Sequence, residues 1–168
     1  MYAPFLGFLW CIVRLFVRAP AGRKRYNVLA ALDAITHHLY QVTNTVTINA
    51  ESVCDLLRQL AQAVSGPITL VLDNAPYQHC KLVKKLAKKL RIELMFLPGY
   101  SPNLNLIERV WKFVKKECLA SRYLPTFEEF TQAIDKCLDG LPTVHKAKMD
   151  TFLTLNFQTF VDVPLVPA

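Results

Sequence analysis

The most restrictive feature of the sequence is a strand–helix–strand pattern over residues 68–98. Two short apolar runs, "ITLVL" and "IELMF", flank a segment whose apolar residues recur at helical spacing. Strands joined by such a crossover lie parallel and adjacent in one sheet, so their carboxyl ends meet at one edge. Ligands of α/β sheets collect beyond that edge. The pattern therefore predicts an α/β fold with a candidate site after residue 72.

The rest of the chain predicts further strands before this unit and helices after it. Strands are predicted over 26–36 and over 38–48, the second bent at Asn44. A helix follows Asn49 as its N-cap and ends near Gly66. Further helices are predicted over 78–90 and 106–119, from the capping box of Thr126 and Glu129 to Gly140, and over 144–154. In the helix over 78–90, Leu82, Val83, Leu86 and Leu90 are predicted to share the apolar face.

The apolar segment "FLGFLWCIVRLFV" near the N-terminus is too short to span a membrane. It covers 13 residues and contains Arg14, whereas a spanning helix needs about 20 predominantly apolar residues. Basic residues before it and a small-residue cleavage site after it, the marks of a signal peptide, are lacking. Its aromatic and β-branched residues instead predict a strand or a strand pair, and no membrane partner is expected.

The cysteines predict a reducing compartment, the cytoplasm. Five cysteines are scattered without a C-x-x-C pair, which argues against a disulfide framework and against a zinc site. The four histidines have no cysteine or carboxylate at the spacing of metal ligands.

The positive charge of the chain is concentrated in one segment. The net charge is +7, and residues 81–122 hold eleven Lys or Arg against three Asp or Glu. Such clustering favours contact with phosphates, and a solvated lysine-rich helix face is the alternative. The candidate DNA-binding residues are Lys84, Lys85, Lys88, Lys89, Lys112 and Lys115.

Two carboxylates are candidates for one site at the edge of the sheet. In "LVLDNAPYQH", residues 70–79, the apolar run ends on Asp73, as in an ordinary strand-end turn. The loop after the next strand leads to Glu108, where an acid also suits the dipole of a helix start. Together, two such acids beside a basic segment suit divalent ions that act on a phosphodiester.

These residues resemble the catalytic core of DDE transposases. "LVLDNAPYQH", "LPGYSPNLNLIERVWKFVKKE" and the gap of 34 residues between Asp73 and Glu108 are similar to the mariner-like group and its bacterial insertion-sequence relatives. The stretches "FLGFLWCIVRLF", "GRKRYNVLAALDAITHHLYQVTN" and "INAESVCDLLRQL" extend the resemblance over nearly the whole chain. It implies a ribonuclease-H-like mixed sheet flanked by helices. It also implies cleavage and joining of DNA strands that depends on Mg²⁺ or Mn²⁺.

The resemblance assigns roles and partners. Asp73 corresponds to the second acid of the catalytic triad and Glu108 to the third, both as metal ligands. Asn74 is expected in a supporting role, orienting a ligand or capping the turn, and Asn105 is expected to shape the loop before Glu108 with Pro102 and Asn103. Trp111 is expected to pack rather than stack on DNA. The expected partners are transposon-end and target DNA, and a second copy or a full-length transposase.

The first acid of the triad has no counterpart at its expected place. None of the first 32 residues is acidic, and Asp33 is the only carboxylate before Glu51. We therefore expect residues 1–168 to form one truncated DDE catalytic domain with an incomplete first strand, inactive alone. The alternatives are a non-catalytic DNA-binding or regulatory remnant, and a small nuclease in which Asp33 serves as the first acid.

Overall fold

The computed structural model describes residues 10–14, 16, 24–99, 101 and 104–157. Strands β1 and β2 come first, and the helices and the strands β3 and β4 then alternate as the sequence predicted. The elements are β1 (Asn27–Leu32), β2 (Leu39–Asn44), α1 (Ala50–Ala63), β3 (Ile68–Leu72), a 3-10 turn (Pro76–His79), α2 (Lys81–Lys89), β4 (Ile92–Phe96), α3 (Leu106–Val114), a π-helical turn (Lys115–Leu119), α4 (Phe127–Asp139) and α5 (Lys146–Phe152).

Both parallel and antiparallel strand pairs are present. Strands β1 and β2 are antiparallel, while β3 and β4 are parallel with Ile68 opposite Ile92 and Leu72 opposite Phe96. The predicted parallel crossover is therefore confirmed. Within the described residues the two pairs are not hydrogen-bonded to each other, so the mixed sheet is present there as two separate halves.

The alternation of side chains along β1 places this strand between two hydrophobic cores. Leu29 and Ala31 pack into a core built from α1 and α2, to which β3 and β4 also contribute. Val28 and Leu32, on the opposite side, pack against a core built from α3, the π-helical turn, α4 and α5. This period of two gives helices on both faces of the β1–β2 pair, an α/β layering.

Local signals set the starts of the long helices. The side chain of Asn49 accepts a hydrogen bond from Ser52 N at 3.0 Å, and Thr126 accepts one from Glu129 N at 3.1 Å. Each bond satisfies an amide that has no partner within its helix. Both predicted N-caps are confirmed because such capping involves residues only three positions apart.

Several predicted boundaries were too generous. Strand β1 stops at Leu32 because Asp33 begins a turn, and β2 stops at Asn44. The predicted helix over 78–90 is a 3-10 turn followed by α2, and the apolar face of α2 is centred on Val83 and Ala87. The prediction for Leu82 was wrong, because its side chain is 52% exposed.

The expectation about the cysteines was wrong for one pair. Cys118 and Cys137 are joined by a disulfide bond. The sulfur atoms of both lie within 4.8 Å of a ring nitrogen of His145, although the sequence showed no cysteine at ligand spacing from a histidine. Cys11, Cys54 and Cys80 are free.

The predicted N-terminal strand lies mostly outside the described residues. Its described residues, 10–14 and 16, are not in a strand. Among the residues that the structure describes, no helix combines the length and the apolar character needed to cross a membrane.

Candidate active site

Asp73 lies directly beyond the carboxyl end of β3, and one of its carboxylate oxygens is held in place. Gln78, which is 4% exposed, donates its Nε2 hydrogen to Asp73 Oδ1 at 2.7 Å. Gln78 Oε1 in turn accepts a hydrogen bond from Ala75 N at 3.1 Å. Asp73 itself is exposed. In the described part of the chain its second oxygen, Oδ2, accepts no hydrogen bond.

Asn74 joins the carboxyl ends of the two parallel strands. Its side-chain amide donates to the carbonyl oxygen of Leu97, just past β4. Its Oδ1 lies 2.7 Å from His79 Nε2, which requires the proton on that nitrogen, and the His79 ring stacks on Phe96 at 3.9 Å. The φ angle of Asn74 is +71°, a left-handed conformation that asparagine tolerates better than most residues. These contacts hold the ends of β3 and β4 together.

Glu108 occupies the first turn of α3, which begins after the loop that follows β4. Asn105 caps this helix, because its Oδ1 accepts a hydrogen bond from Ile107 N at 3.3 Å. The Glu108 side chain is half-buried. Among the described residues its carboxylate has neither a hydrogen-bond nor an ion-pair partner. Pro102 and Asn103, also predicted to shape this loop, lie outside the described residues.

The residue after Glu108 anchors the C-terminal segment to α3. The Arg109 guanidinium donates to the carbonyl oxygens of Phe152, Thr154 and Asn156 at 3.3, 2.7 and 3.0 Å. Arg109 is therefore engaged with backbone rather than available for phosphate. Trp111, two residues further along, packs against the core of α3 and α4, as predicted.

Tyr77 lies close enough to Asp73 for the charge of the carboxylate to affect the pKa of its hydroxyl. Burial raises the pKa of the Tyr77 hydroxyl, and the Asp73 carboxylate raises this pKa further. The phenol therefore stays neutral at neutral pH, and it packs its ring into the core of α1 and α2.

The predicted DNA-binding lysines are all exposed. Lys84, Lys85, Lys88 and Lys89 project from α2, and Lys112 and Lys115 from α3 and the turn that follows it. None of these six lysines forms an ion pair in the part of the chain that the structure describes. Lys84 and Lys88 line a groove of 340 Å³ whose floor includes Ile92, Leu94 and Phe96 of β4. Their charge is thus available to an anionic partner.

Asp33 is committed to the turn between β1 and β2. Its Oδ1 accepts hydrogen bonds from Ile35 N at 2.8 Å and Thr36 N at 3.0 Å. The hydrogen bond from the Thr36 amide is the main reason that the pKa of Asp33 is lowered. Asp33, Asp73 and Glu108 do not form a cluster with ligand oxygens within 4.8 Å of one another. In this structure Asp33 stabilises the turn between β1 and β2.

Sequence reasoning missed Gln78 and His79 as parts of the site. Both lie in "LVLDNAPYQH", but a glutamine and a histidine after a proline do not form a motif that predicts a functional site. A 3-10 turn brings them back towards Asp73 and Asn74, five residues earlier in each case. The available hint was the concentration of polar side chains directly after a buried strand.

The fold and this arrangement define an α/β protein with an acidic residue at the carboxyl edge of a parallel strand pair. Residues 14–131 match the family described as DDE superfamily endonuclease. The chain belongs to this family.

One relative and two solved structures show the extent of the likeness. "Uncharacterized protein y4pE/y4sA" of Sinorhizobium fredii (strain NBRC 101917 / NGR234) is 29% identical over 105 residues, which are 62% of each protein. The crystal structure of the Mos1 mariner paired end complex with Mn is 16% identical, with a TM-score of 0.56, covering 85% of this chain and 48% of that one. The catalytic domain of Mos1 mariner transposase is 15% identical, with a TM-score of 0.52, covering 80% of this chain and 82% of that domain.

These similarities confirm the fold class, a ribonuclease-H-like α/β domain. The chain spans less than two thirds of the length of the curated relative and about half of the Mos1 chain in the paired end complex.

Proposed function

We propose that this chain is the catalytic part of a DDE transposase, one domain over residues 1–168. Asp73 and Glu108 act as two of three carboxylates that hold divalent metal ions for the cleavage and transfer of DNA strands. The observation that carries the proposal is the position of Asp73. It lies at the carboxyl edge of β3, with one oxygen held by buried Gln78 and the other free.

The free oxygens suit Mg²⁺ or Mn²⁺. Such hard cations prefer carboxylate oxygens, and Asp73 Oδ2 and the Glu108 carboxylate have no competing partner among the described residues. When bound, the ions activate the attacking oxygen and stabilise the leaving oxygen of a phosphodiester. The solved Mos1 paired end complex contains Mn, which supports this choice of cation.

The neighbouring residues give the two carboxylates a defined position. Gln78 restricts rotation of Asp73, and Asn74 ties the end of β3 to the end of β4. Asn105 sets the first turn of α3 and with it the backbone of Glu108. Positioning by surrounding hydrogen bonds is what holds metal ligands in productive geometry.

The 168-residue polypeptide supplies two of the three acids, so we expect it to be inactive alone in strand transfer. No acid occurs in the first 32 residues, and Asp33 is engaged by the backbone of its own turn. Cleavage of transposon-end DNA by the purified chain with Mg²⁺ or Mn²⁺, lost in Asp73→Ala, would overturn this expectation.

Metal binding provides a direct test of the carboxylate assignment. Mn²⁺ titration followed by electron paramagnetic resonance should show binding that weakens at least about tenfold in Asp73→Asn and in Glu108→Gln, since each removes a charged ligand. Asp139→Asn is the matched control, because Asp139 is an exposed carboxylate on α4. Unchanged Mn²⁺ affinity in both site variants would refute the assignment.

A second candidate function is non-catalytic binding of DNA or regulation of a full-length transposase. The exposed, unpaired lysines of α2 favour it, since they need neither metal nor the first acid. A second copy of the chain or a full-length transposase is the protein partner that this function implies.

Salt-dependent DNA binding tests this second function. Replacing Lys84, Lys85, Lys88 and Lys89 by glutamate should abolish binding in the presence or absence of Mg²⁺. Each single replacement should reduce the slope of log affinity against log salt by about 0.9, the value for one lost phosphate contact. Lys136→Glu on α4 is the control for a single charge reversal. Equal affinity in the fourfold variant and the wild type would exclude α2 as the DNA surface.

A further inference from the structure

A second cluster of metal-binding side chains lies away from the two carboxylates, where three helical elements meet. Cys118 stands in the π-helical turn after α3, Cys137 in the last turn of α4, and His145 directly before α5. One ligand atom from each residue lies within 4.8 Å of the ligand atoms of the other two. Among the described residues, this is the one such trio of His, Cys, Asp or Glu.

The fold holds the imidazole of His145 against the two cysteines. The rings of His145 and Phe113 form a T-shaped pair with their centroids 5.1 Å apart, and His145 N donates to Gly140 O at 2.9 Å. A side chain at position 140 would place its Cβ 3.3 Å from His145 Cδ2, so glycine allows this close approach. The two cysteines are 6% and 3% exposed, whereas His145 is half-exposed and opens the cluster to water.

The ligand chemistry of this cluster differs from that of the carboxylate site. Two thiolates and one imidazole suit Zn²⁺, whereas Mg²⁺ and Mn²⁺ prefer oxygen ligands. Zinc bonds of about 2.3 Å to sulfur and about 2.0 Å to nitrogen require neighbouring ligand atoms roughly 3.4 to 3.8 Å apart. Opening the disulfide lets the two sulfur atoms move apart, and a ring nitrogen of His145 lies within 4.8 Å of both. Rotation of the side chains can therefore reach this spacing.

We propose that Cys118, Cys137 and His145 form a zinc site in the reduced protein, with the Cys118–Cys137 disulfide as its oxidised alternative. A thiol reductant that opens the disulfide gives two thiols and is itself oxidised to a disulfide, a transfer of two electrons and two protons. Zinc binding then displaces the two thiol protons, and water fills the fourth coordination position. In a reducing compartment the thiol form is the one that persists.

Zinc in this position would join the π-helical turn after α3 to α4 and to the start of α5. These elements share one hydrophobic core, which includes Val110 and Phe113 on the helix that carries Glu108. The zinc site would therefore stabilise the hydrophobic core against which α3 packs. It would not itself bind the metal ions held by Asp73 and Glu108.

Cobalt titration of the whole chain tests the proposal, because Co²⁺ reports thiolate ligands by colour. The protein is reduced with a phosphine under nitrogen and titrated with Co²⁺. We expect one equivalent to produce thiolate-to-metal charge-transfer bands and the intense visible bands of four-coordinate Co²⁺, both removed by added Zn²⁺. Oxidised protein should show neither set of bands, and Zn²⁺ should raise the melting temperature of the reduced protein alone.

Variants assign the ligands. Cys118→Ser and Cys137→Ser should each lose the charge-transfer intensity of one thiolate and at least about tenfold in affinity. His145→Gln leaves both buried thiols in place and should weaken Co²⁺ binding by a similar factor, which keeps the test decisive if a cysteine variant fails to fold. Cys11→Ser and Cys80→Ser, which remove free thiols, are the matched controls. Absence of the bands in reduced wild type, or their persistence with unchanged affinity in His145→Gln, would overturn the proposal.

Discussion

Replacing Asn74 should test whether the junction between β3 and β4 is built as described. The side chain makes two hydrogen bonds, to Leu97 O and to His79 Nε2, and its backbone has φ +71°. Alanine removes both hydrogen bonds and also disfavours this backbone conformation. Glycine removes the hydrogen bonds but accepts the conformation, so the two variants separate the two effects.

The expected losses follow from these contacts. Each hydrogen bond contributes about 1 kcal/mol, and a non-glycine residue in the left-handed region costs roughly 1 to 2 kcal/mol. Asn74→Ala should therefore lower the free energy of unfolding by about 3.5 kcal/mol. Asn74→Gly should lower it by about 2.5 kcal/mol, of which about 0.5 kcal/mol arises from the greater freedom of glycine in the unfolded chain.

Urea unfolding followed by circular dichroism measures both values. With a slope of about 2 kcal/mol per molar urea, the midpoint should fall by about 1.7 M for alanine and about 1.2 M for glycine. Gln62→Ala, on the exposed side of α1, is the control and should change the free energy by less than about 0.5 kcal/mol. Losses below about 0.5 kcal/mol in both Asn74 variants would show that this amide does not join the strands.

Three further predictions follow from other contacts. Val83→Ala should lower the free energy of unfolding in urea by about 2 kcal/mol because Val83 is 0% exposed. Leu82→Ala should lower it by less than about 0.5 kcal/mol. Equal losses would contradict the assignment of Val83 to the buried face of α2. Arg109→Ala should accelerate hydrogen exchange over residues 152–157, since it removes three hydrogen bonds to their carbonyl oxygens, and unchanged exchange would contradict this anchoring. Burial and the hydrogen bond to Asp135 raise the pKa of Tyr26 from 10.0 to about 12. The contribution of Tyr26 to the free energy of unfolding is therefore present below pH 10 and lost as the pH rises towards 12. Tyr26→Phe should remove this pH dependence of the free energy of unfolding.

Sequence reasoning succeeded where the physical cause acts over a few residues. The N-caps Asn49 and Thr126 were predictable because a capping side chain bonds to an amide three positions away. The parallel pairing of β3 and β4 was predictable because a helix between two strands returns the chain to the end of the sheet where the first strand began. Asp73 lies beyond β3 because the apolar run of this strand ends at Leu72.

Local patterns were less reliable where burial depends on distant elements. Apolar spacing placed Leu82 on the buried face of α2, but the neighbours of this helix cover the side of Val83 and Ala87 instead. Strand β1 ended earlier than its apolar run indicated, because the Asp33 side chain bonds to the backbone amides of the following turn.

The sequence by itself determined the order of the elements, the helix caps, and the edge at the ends of β3 and β4 where Asp73 lies. Only the tertiary structure decided which polar groups hold Asp73 and Asn74, and that Cys118 and Cys137 meet beside His145. The physical reason is the distance along the chain over which each interaction acts. Caps and crossovers are set by backbone geometry over a few residues, whereas the meeting of Cys118, Cys137 and His145 depends on how α3, α4 and α5 share one core.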